Sequence, residues 1–348
     1  MAISEEAPPA LRPLHARTVR LSDALHRRAV RRALDEGWQP STTVYPGYGS
    51  PRSVRVLGRL LLTAPDGRER GDRPEVVRGW RSFLTVPVRD ASVVVEVGGV
   101  EHVVTTDRGG FVDATLPAAL EPGWRPVTLR AEGAEPVTGQ VRVIGDDVEV
   151  GIVSDIDDTV MVTALPRPLL AAWNTFVLDE HARAPVPGMA VLYERLVRRH
   201  TDAPVLYLST GAWNVAPALT RFLHRHLYPR GPLLLTDWGP TPDRWFRNGR
   251  LHKERTLRRL AEEFPHVRWL LVGDDGQRDE SVYAAFARER PGSVAAVAIR
   301  HLSPTESVLA QGLPGPQGLH APGDREHLWV SAPDGAGLAR LLRQGGLL

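Results

Sequence analysis

The stretch Val148-Glu149-Val150-Gly151-Ile152-Val153-Ser154-Asp155-Ile156-Asp157-Asp158-Thr159 decides how the chain reads. Its first half is apolar and rich in β-branched residues, the mark of a strand buried on both faces. Its second half breaks into carboxylates. Alternation through a strand-to-loop turn aims Asp155 and Asp157 at a common site. Two carboxylates that close repel one another unless a cation or a proton intervenes. A divalent magnesium ion, hard and oxygen-seeking, meets that demand. A solvated acidic turn explains an isolated D-x-D-x-T equally well.

Further apolar runs follow at Val205–Leu208, Leu233–Leu235, Trp269–Val272 and Val294–Ile299. Helical patterns lie between them, near Gly188–Arg199, Val215–Leu227, Glu254–Phe264 and Ser281–Arg288. Such alternation predicts an α/β domain over 149–302, a doubly wound parallel sheet. In these sheets ligands sit outside the carboxyl ends of the strands.

Chemistry recurs at those ends. The second strand closes on Tyr207-Leu208-Ser209-Thr210-Gly211, a hydroxyl and a glycine turn before a helix. That arrangement suits an anion, or equally an ordinary helix cap. Leu251-His252-Lys253-Glu254 opens the helix after the third strand. Of the 43 basic residues Lys253 is the single lysine, and all others are arginine. Where the chain so favours the planar arginine fork, a retained lysine marks a place for a compact ammonium, here one that neutralises phosphate. A solvated surface lysine is the plain alternative. The fourth strand closes on Gly273-Asp274-Asp275-Gly276-Gln277-Arg278-Asp279. Asp274 is placed to complete a magnesium site with the first pair and Asp279 to hold metal-bound water; a coincidental acidic loop is the plain alternative.

The order Asp-x-Asp-x-Thr, Ser, Lys, Gly-Asp-x-x-x-x-Asp resembles the haloacid dehalogenase superfamily of aspartate-nucleophile phosphatases. Within it, DIDDT, YLSTG and GDDGQRD resemble the catalytic domain of the actin-patch phosphatidate phosphatase family. Upstream, Tyr45-Pro46-Gly47-Tyr48-Gly49 and the strand-rich segment after it resemble bacterial members, so the similarity spans roughly 43–301. Position 275 is Asp where the pattern has a small residue such as Ser. The resemblance implies a haloacid dehalogenase-like fold. It implies a nucleophile at Asp155, a general acid and base at Asp157 oriented by Thr159, and phosphoryl ligands at Ser209 and Lys253. It implies Mg2+ held by Asp155, the main-chain carbonyl of Asp157 and Asp274, with Asp279 assisting. The implied substrate is a phosphate monoester, phosphatidate in the first instance, giving diacylglycerol and phosphate. A soluble sugar phosphate or nucleotide is the enzymatic alternative. A non-catalytic membrane- or protein-binding module of the same fold is the alternative outside enzymes.

Two inserts are expected to choose the substrate. Met161–Pro187 carries Leu165, Leu169, Leu170, Trp173, Phe176 and Val177 near Arg167. Trp238–Arg250 carries Trp238, Trp245 and Phe246 among Arg244, Arg247 and Arg250. Apolar groups beside cations suit an amphiphilic phosphate and a membrane interface, though they also serve to pack a lid. No long basic stripe accompanies them, so nucleic acid is not an expected partner. His181, His252 and His301 form no metal-ligand spacing and read as structural or loop residues.

The rest of the 348 residues sets the context. Residues 1–40 predict a basic amphipathic helix, with Leu21, Leu25, Ala29 and Ala33 on one face and Arg27, Arg28, Arg31 and Arg32 beside them. It either packs on the body or attaches to an anionic membrane surface. Residues 41–148 show about seven short strands and frequent turns, which predict an antiparallel β-sandwich with a structural or targeting role. Residues 303–348 read as a tail with one short strand, Leu328–Val330, and a short helix near Gly337–Gln344. The absence of cysteine excludes disulfides, thiolate catalysis and cysteine-ligated metal centres. No run of about 18 apolar residues is present, and MAISEEAPPALRP lacks the order of a secretory signal. The expected location is cytoplasmic, with peripheral contact at the inner face of the membrane.

Overall fold

The computed structural model describes residues 12–64, 85–162, 183–236, 242–276, 279–303 and 327–348, with backbone alone at 12–22 and 242–248. Helix α1 (Arg12–Asp35) comes first. Gly37, at φ 80°, accepts the left-handed conformation that stops it. Ala33 is buried but Leu25 is 60% exposed. The helix turns Asp23, His26, Val30 and Ala33 inward, so the inner stripe includes Ala33 but not Leu25 and Ala29 as the four-residue spacing suggested; the Leu21 side chain lies outside the described residues.

Eight strands follow: β1 (Gln39–Ser50), β2 (Ser53–Thr63), β3 (Val86–Pro87), β4 (Ser92–Val97), β5 (Val100–Thr105), β6 (Phe111–Pro117), β7 (Gly123–Ala131) and β8 (Val137–Val143). They form one hydrogen-bonded path, β3-β2-β1-β8-β7-β4-β5, with β6 also paired to β2. This departs from the antiparallel sandwich expected. The sheet is continuous and mixed, because β1 runs parallel to β8 while the remaining pairs are antiparallel. The Tyr45-Pro46-Gly47-Tyr48-Gly49 motif lies inside β1 and produces the register break there. Proline and two glycines hid that strand from a reading based on propensity. The sheet curls around a valine-rich core that includes Val54, Val56, Val93, Val95, Leu129 and Val141.

The second layer system is a six-stranded parallel sheet. Its strands are β9 (Val150–Asp155), β10 (Val205–Ala212), β11 (Leu233–Thr236), β12 (Arg268–Asp274), β13 (Val294–Arg300) and β14 (Leu328–Ala332). Their order is β11-β10-β9-β12-β13-β14. Helices α2 (Met189–Arg199), α3 (Ala216–Arg225) and α6 (Gly335–Gln344) pack on one face. Helices α4 (Pro242–Glu263) and α5 (Asp279–Glu289) pack on the other. Both faces are therefore covered, which is why these strands read as unbroken apolar runs. The direction of strand addition reverses between β9 and β12, and the crevice outside their carboxyl ends is where such sheets bind ligands.

The tail contributes structure. β14 extends the sheet beside β13, and α6 is capped by Asp334, whose side chain accepts from the Gly337 amide. The two sheets share their cores. Tyr45, Leu57 and Phe111 belong to the cluster under α2 and α3, and Tyr48 and Ile144 to the cluster under α4. Among the described residues no helix is long and apolar enough to cross a membrane.

Candidate active site

Asp155 ends β9 between two neighbours. Leu208 of β10 is in register with Asp155, and Val272 of β12 with Ser154. The strand ends therefore bring Asp155, Ser209 and Asp274 together, all buried. The loop after β9 turns at Asp158, which sits at φ 58°, a conformation that aspartate tolerates better than most residues. Several bonds hold the turn. The Asp158 amide donates to the Met161 carbonyl (2.8 Å). The Arg300 guanidinium donates to the Asp158 carbonyl (2.7 Å). The Tyr228 hydroxyl donates to the Val160 carbonyl (2.8 Å). Ser154 Oγ donates to the Asp155 carbonyl (2.6 Å) and lies 2.6 Å from the Tyr193 hydroxyl, which ties the strand end to α2.

Lys253 of α4 reaches the centre. Its Nζ donates to Asp155 Oδ1 at 2.6 Å and to Asp279 Oδ1 at 2.5 Å. All three side chains are at least 95% buried. Burial alone would lower the pKa of the ammonium, but the two carboxylates override it and hold Lys253 firmly charged. Asp274 accepts from the Gly276 amide (2.7 Å) and from Thr159 Oγ1 (3.4 Å). One carboxylate oxygen each from Asp155, Asp274 and Asp279 lie within 4.8 Å of one another. Burial pushes the pKa of all three carboxyls upward, with Lys253 opposing. Asp155 Oδ2 and Asp279 Oδ2 are buried with no hydrogen-bond partner. Orphaned carboxylate oxygens are costly in a dry site. A metal ion in their midst removes that cost, and an all-oxygen donor set fits a hard divalent cation.

Asp157 stands beside this cluster. Its Oδ2 accepts from Ser209 Oγ (3.1 Å), and Ser209 Oγ in turn accepts from the Gly211 amide (3.0 Å). Burial raises its pKa to about 6, against the opposing pull of Arg183. Ser209-Thr210-Gly211 is held by Thr236, whose hydroxyl lies 3.0 Å from the Thr210 carbonyl and 3.2 Å from the Gly211 carbonyl.

The structure thus brings Asp155, Asp157, Thr159, Ser209, Lys253, Asp274 and Asp279 into one buried constellation. Asp275 does not join it. Its carboxylate accepts from the Leu302 amide (2.9 Å) and pairs with His301 (2.8 Å), which ties the β12 loop to the end of β13. His252 lies on α4 with Nε2 against the Leu234 carbonyl (3.1 Å). His181 and the apolar and aromatic side chains singled out in both inserts fall outside the described residues. Two arginines were missed. Arg300 braces the Asp158 turn. Arg183, 7% exposed, sets its charge toward Asp157 and Asp158. In a chain with 42 arginines, neither carried a signal.

Residues 150–301 match the family described as phosphatidate phosphatase APP1, catalytic domain. The chain is 23% identical over 235 residues to phosphatidate phosphatase APP1 of Saccharomyces cerevisiae. That alignment takes in 63% of this chain and 39% of the yeast protein, so the match spans about two fifths of that relative's length. Among solved structures, a carbohydrate acetylesterase from Xanthomonas citri aligns at 12% identity and a TM-score of 0.28, covering 75% of this chain and 68% of the other. A carbohydrate esterase with divergent catalytic and non-catalytic binding functions aligns at 10% identity and a TM-score of 0.24, covering 75% and 88%. The acidic constellation lies inside the matched segment, and residues 150–301 resemble the catalytic-domain family of phosphatidate phosphatase APP1.

Proposed function

We propose that the protein is a magnesium-dependent phosphatase of the haloacid dehalogenase type, with a doubly wound catalytic domain over 149–302, and that its substrate is phosphatidate. The observation that carries this reading is the Lys253 ammonium bridging Asp155 and Asp279 beside Asp274, with Asp157 on Ser209 a few ångströms away. The match to the phosphatidate phosphatase family supports the substrate class.

Asp155 attacks phosphorus in line and becomes an aspartyl phosphate as the alcohol leaves. Asp157, with its pKa raised to about 6 by burial, is suited to be protonated part of the time near neutral pH. It gives its proton to the leaving oxygen, then takes one from the water that hydrolyses the aspartyl phosphate. Ser209 Oγ and Lys253 Nζ hold the phosphoryl oxygens. Thr159 fixes Asp274 and the turn that carries Asp157. Asp155, Asp274 and Asp279, with the main-chain carbonyl of Asp157, are the residues that would hold Mg2+. When bound, the ion offsets the repulsion between carboxylate and phosphate and acts as a Lewis acid. In sequence, the two inserts set Arg167, Arg244 and Arg247 beside aromatic residues, a composition that suits an amphiphilic phosphate. Peripheral contact with the inner face of the membrane belongs to the same reading, with α1 as the attachment element.

Phosphate release is measured from phosphatidate in detergent micelles and from a soluble aryl phosphate, each with magnesium and with chelator, for wild type and Asp155→Asn. Magnesium-dependent release from the lipid, lost in the variant, is expected. Release from the aryl phosphate alone discards the lipid and keeps the chemistry. No release from either overturns the reading.

A further inference from the structure

The two sheets leave a cavity of about 410 Å³ between them, and its walls are basic. α4 contributes Arg255 and Arg259, four residues apart on one helical face and both exposed. β2 contributes Arg55 from the opposite wall. Arg55 is held rigidly: it forks onto Asp113 with two bonds of 2.6 Å and touches the Tyr48 hydroxyl at 3.3 Å. Asp113 is the single acidic residue of the lining. Glu263, one turn beyond Arg259, also faces Arg259 and Arg55. His252 lines the cavity as a neutral ring, since burial lowers its pKa to about 4. The positive charge of the cavity therefore comes from guanidinium groups alone.

Like charges at i, i+4 of a helix repel. Among the described residues Arg255 takes part in no salt bridge, and a third guanidinium stands across the gap. None of Asp155, Asp157, Ser209, Lys253, Asp274 and Asp279 lines this cavity, so it is separate from the phosphoryl site. Its remaining lining is partly apolar and includes Trp213, Leu234 and Leu251. The volume lies within the range of small-molecule sites and exceeds what a bare oxyanion fills. The geometry points to a second ligand site at the junction of the two sheets, where Arg255 and Arg259 hold the phosphate of a small polyol phosphate or of an anionic phospholipid headgroup, and Arg55, its fork already on Asp113, forms the fixed opposite wall. Guanidinium forks match phosphate oxygens in geometry and charge. The site borders the catalytic loop through two residues. Thr236 bonds the Thr210 and Gly211 carbonyls, and Trp213 follows that loop directly. The inference stands whether or not the phosphatase reading does.

The test is binding in the presence of chelator. Without metal, the phosphoryl site is four carboxylates around one ammonium and repels phosphate, so retention there is negligible. Glycerol phosphate and inorganic phosphate are titrated calorimetrically into wild type, Arg255→Gln/Arg259→Gln and a charge-matched control, Arg268→Gln/Arg340→Gln. All four positions are exposed, and unchanged melting temperatures verify folding. Saturable binding of one equivalent by wild type and control is expected, weakened about 10-fold or more in the first variant, the loss that follows from removing charge-assisted hydrogen bonds. Phosphatidylglycerol vesicles are tested by co-sedimentation with the same three proteins. Vesicle binding weaker in the Arg255→Gln/Arg259→Gln variant than in the control identifies a headgroup site; vesicle binding equal in all three proteins or absent from all, with glycerol phosphate binding lost in that variant alone, identifies a soluble ligand and leaves any vesicle binding to α1. Failure of wild type to bind either probe, or equal losses in both double variants, overturns the proposal.

Discussion

The ring centroids of Tyr45 and Trp213 lie 4.6 Å apart with their planes at 38°. Tyr45 belongs to β1 of the curled sheet, and Trp213 stands four residues after Ser209. The Phe111 ring of β6 also lies against the indole, with centroids 5.9 Å apart. The curled sheet thus packs onto the end of the loop that carries the candidate phosphoryl ligand. That contact predicts that the sheet supports the loop.

Tyr45→Ala removes one wall of this packing. Truncating a buried aromatic costs about 3–5 kcal/mol, which thermal melting reads. A displaced Ser209 loop lowers kcat by roughly 10- to 100-fold through misplacement of the reacting groups. Tyr45→Phe keeps the ring and is expected to keep the turnover. If Tyr45→Ala lowers the melting temperature and leaves turnover untouched, the sheet is a stabilising element only.

Lys253 compensates two buried carboxylates at once, so replacing it is costly in a metal-dependent way. Lys253→Met leaves Asp155 and Asp279 without their cation, and breaking a buried pair typically costs about 3–5 kcal/mol. Added magnesium recovers part of this, because the metal supplies the missing charge. Turnover stays about 100- to 1,000-fold low, since a preorganised phosphoryl ligand is gone. Lys253→Arg does not rescue: the planar fork is too broad for a gap with Nζ 2.6 and 2.5 Å from its partners. Paired melts in magnesium and in chelator check the first claim, and phosphate release checks the second.

The part of this site that the sequence made legible lies on strands. Asp155, Ser209 and Asp274 each follow an apolar run, so their convergence followed from the parallel sheet. Lys253 stood out because arginine is the rule elsewhere. Arg183 and Arg300 were illegible for the same reason, since their importance arises only when the loop after β9 folds against them. β1 was missed because its proline and glycines, read locally, argue against a strand. The parallel pairing of β1 with β8 is a long-range contact that no local pattern encodes. The stretch 303–348 read as a tail because β14 is short, yet it pairs with β13 across five residues.

The raised pKa of Asp157 has a signed consequence for the metal-free protein. Its carboxyl prefers protonation in the folded state, at about 6, because of burial, whereas an unfolded aspartate titrates near 3.9. Asp157 therefore contributes stability that is fully present below about pH 4 and is lost as pH rises through 6. The contribution is about 3 kcal/mol at most. His252 works the other way. Its folded pKa is lowered to about 4 by burial, so its contribution is present above pH 6.5 and lost as pH falls through 4. The two oppose each other over the same window, while the raised pKa values of Asp155, Asp274 and Asp279 act in the same direction as Asp157. Urea melts in chelator separate them. Between pH 7 and pH 4.5, Asp157→Asn loses stability relative to wild type, and His252→Asn gains. Parallel profiles for all three proteins would show that neither group is perturbed.

Gly273 lies where a side chain would disrupt the site from behind. A Cβ there would meet Asp279 Oδ2 at 2.6 Å, Asp279 Cβ at 2.8 Å and the Tyr283 ring at 2.8 Å. Asp279 and Tyr283 are both fully buried on α5, and Tyr283 is further anchored by its bond to the Val272 carbonyl (3.1 Å). Neither can yield without moving the helix. Gly273→Ala is therefore expected to cost about 1–3 kcal/mol through overpacking. Its larger effect is on the metal site, because the group it displaces first is the carboxylate oxygen that has no protein partner. Magnesium affinity, read as the concentration that restores thermal stability from chelator, falls by about 10-fold or more, the range seen when a metal ligand's support is removed. Gly276→Ala, in the same loop, is the comparison. Asp274 accepts from the Gly276 amide, and alanine retains that amide. A loss of stability in Gly273→Ala with unchanged magnesium affinity would mean that Asp279 does not face the ion.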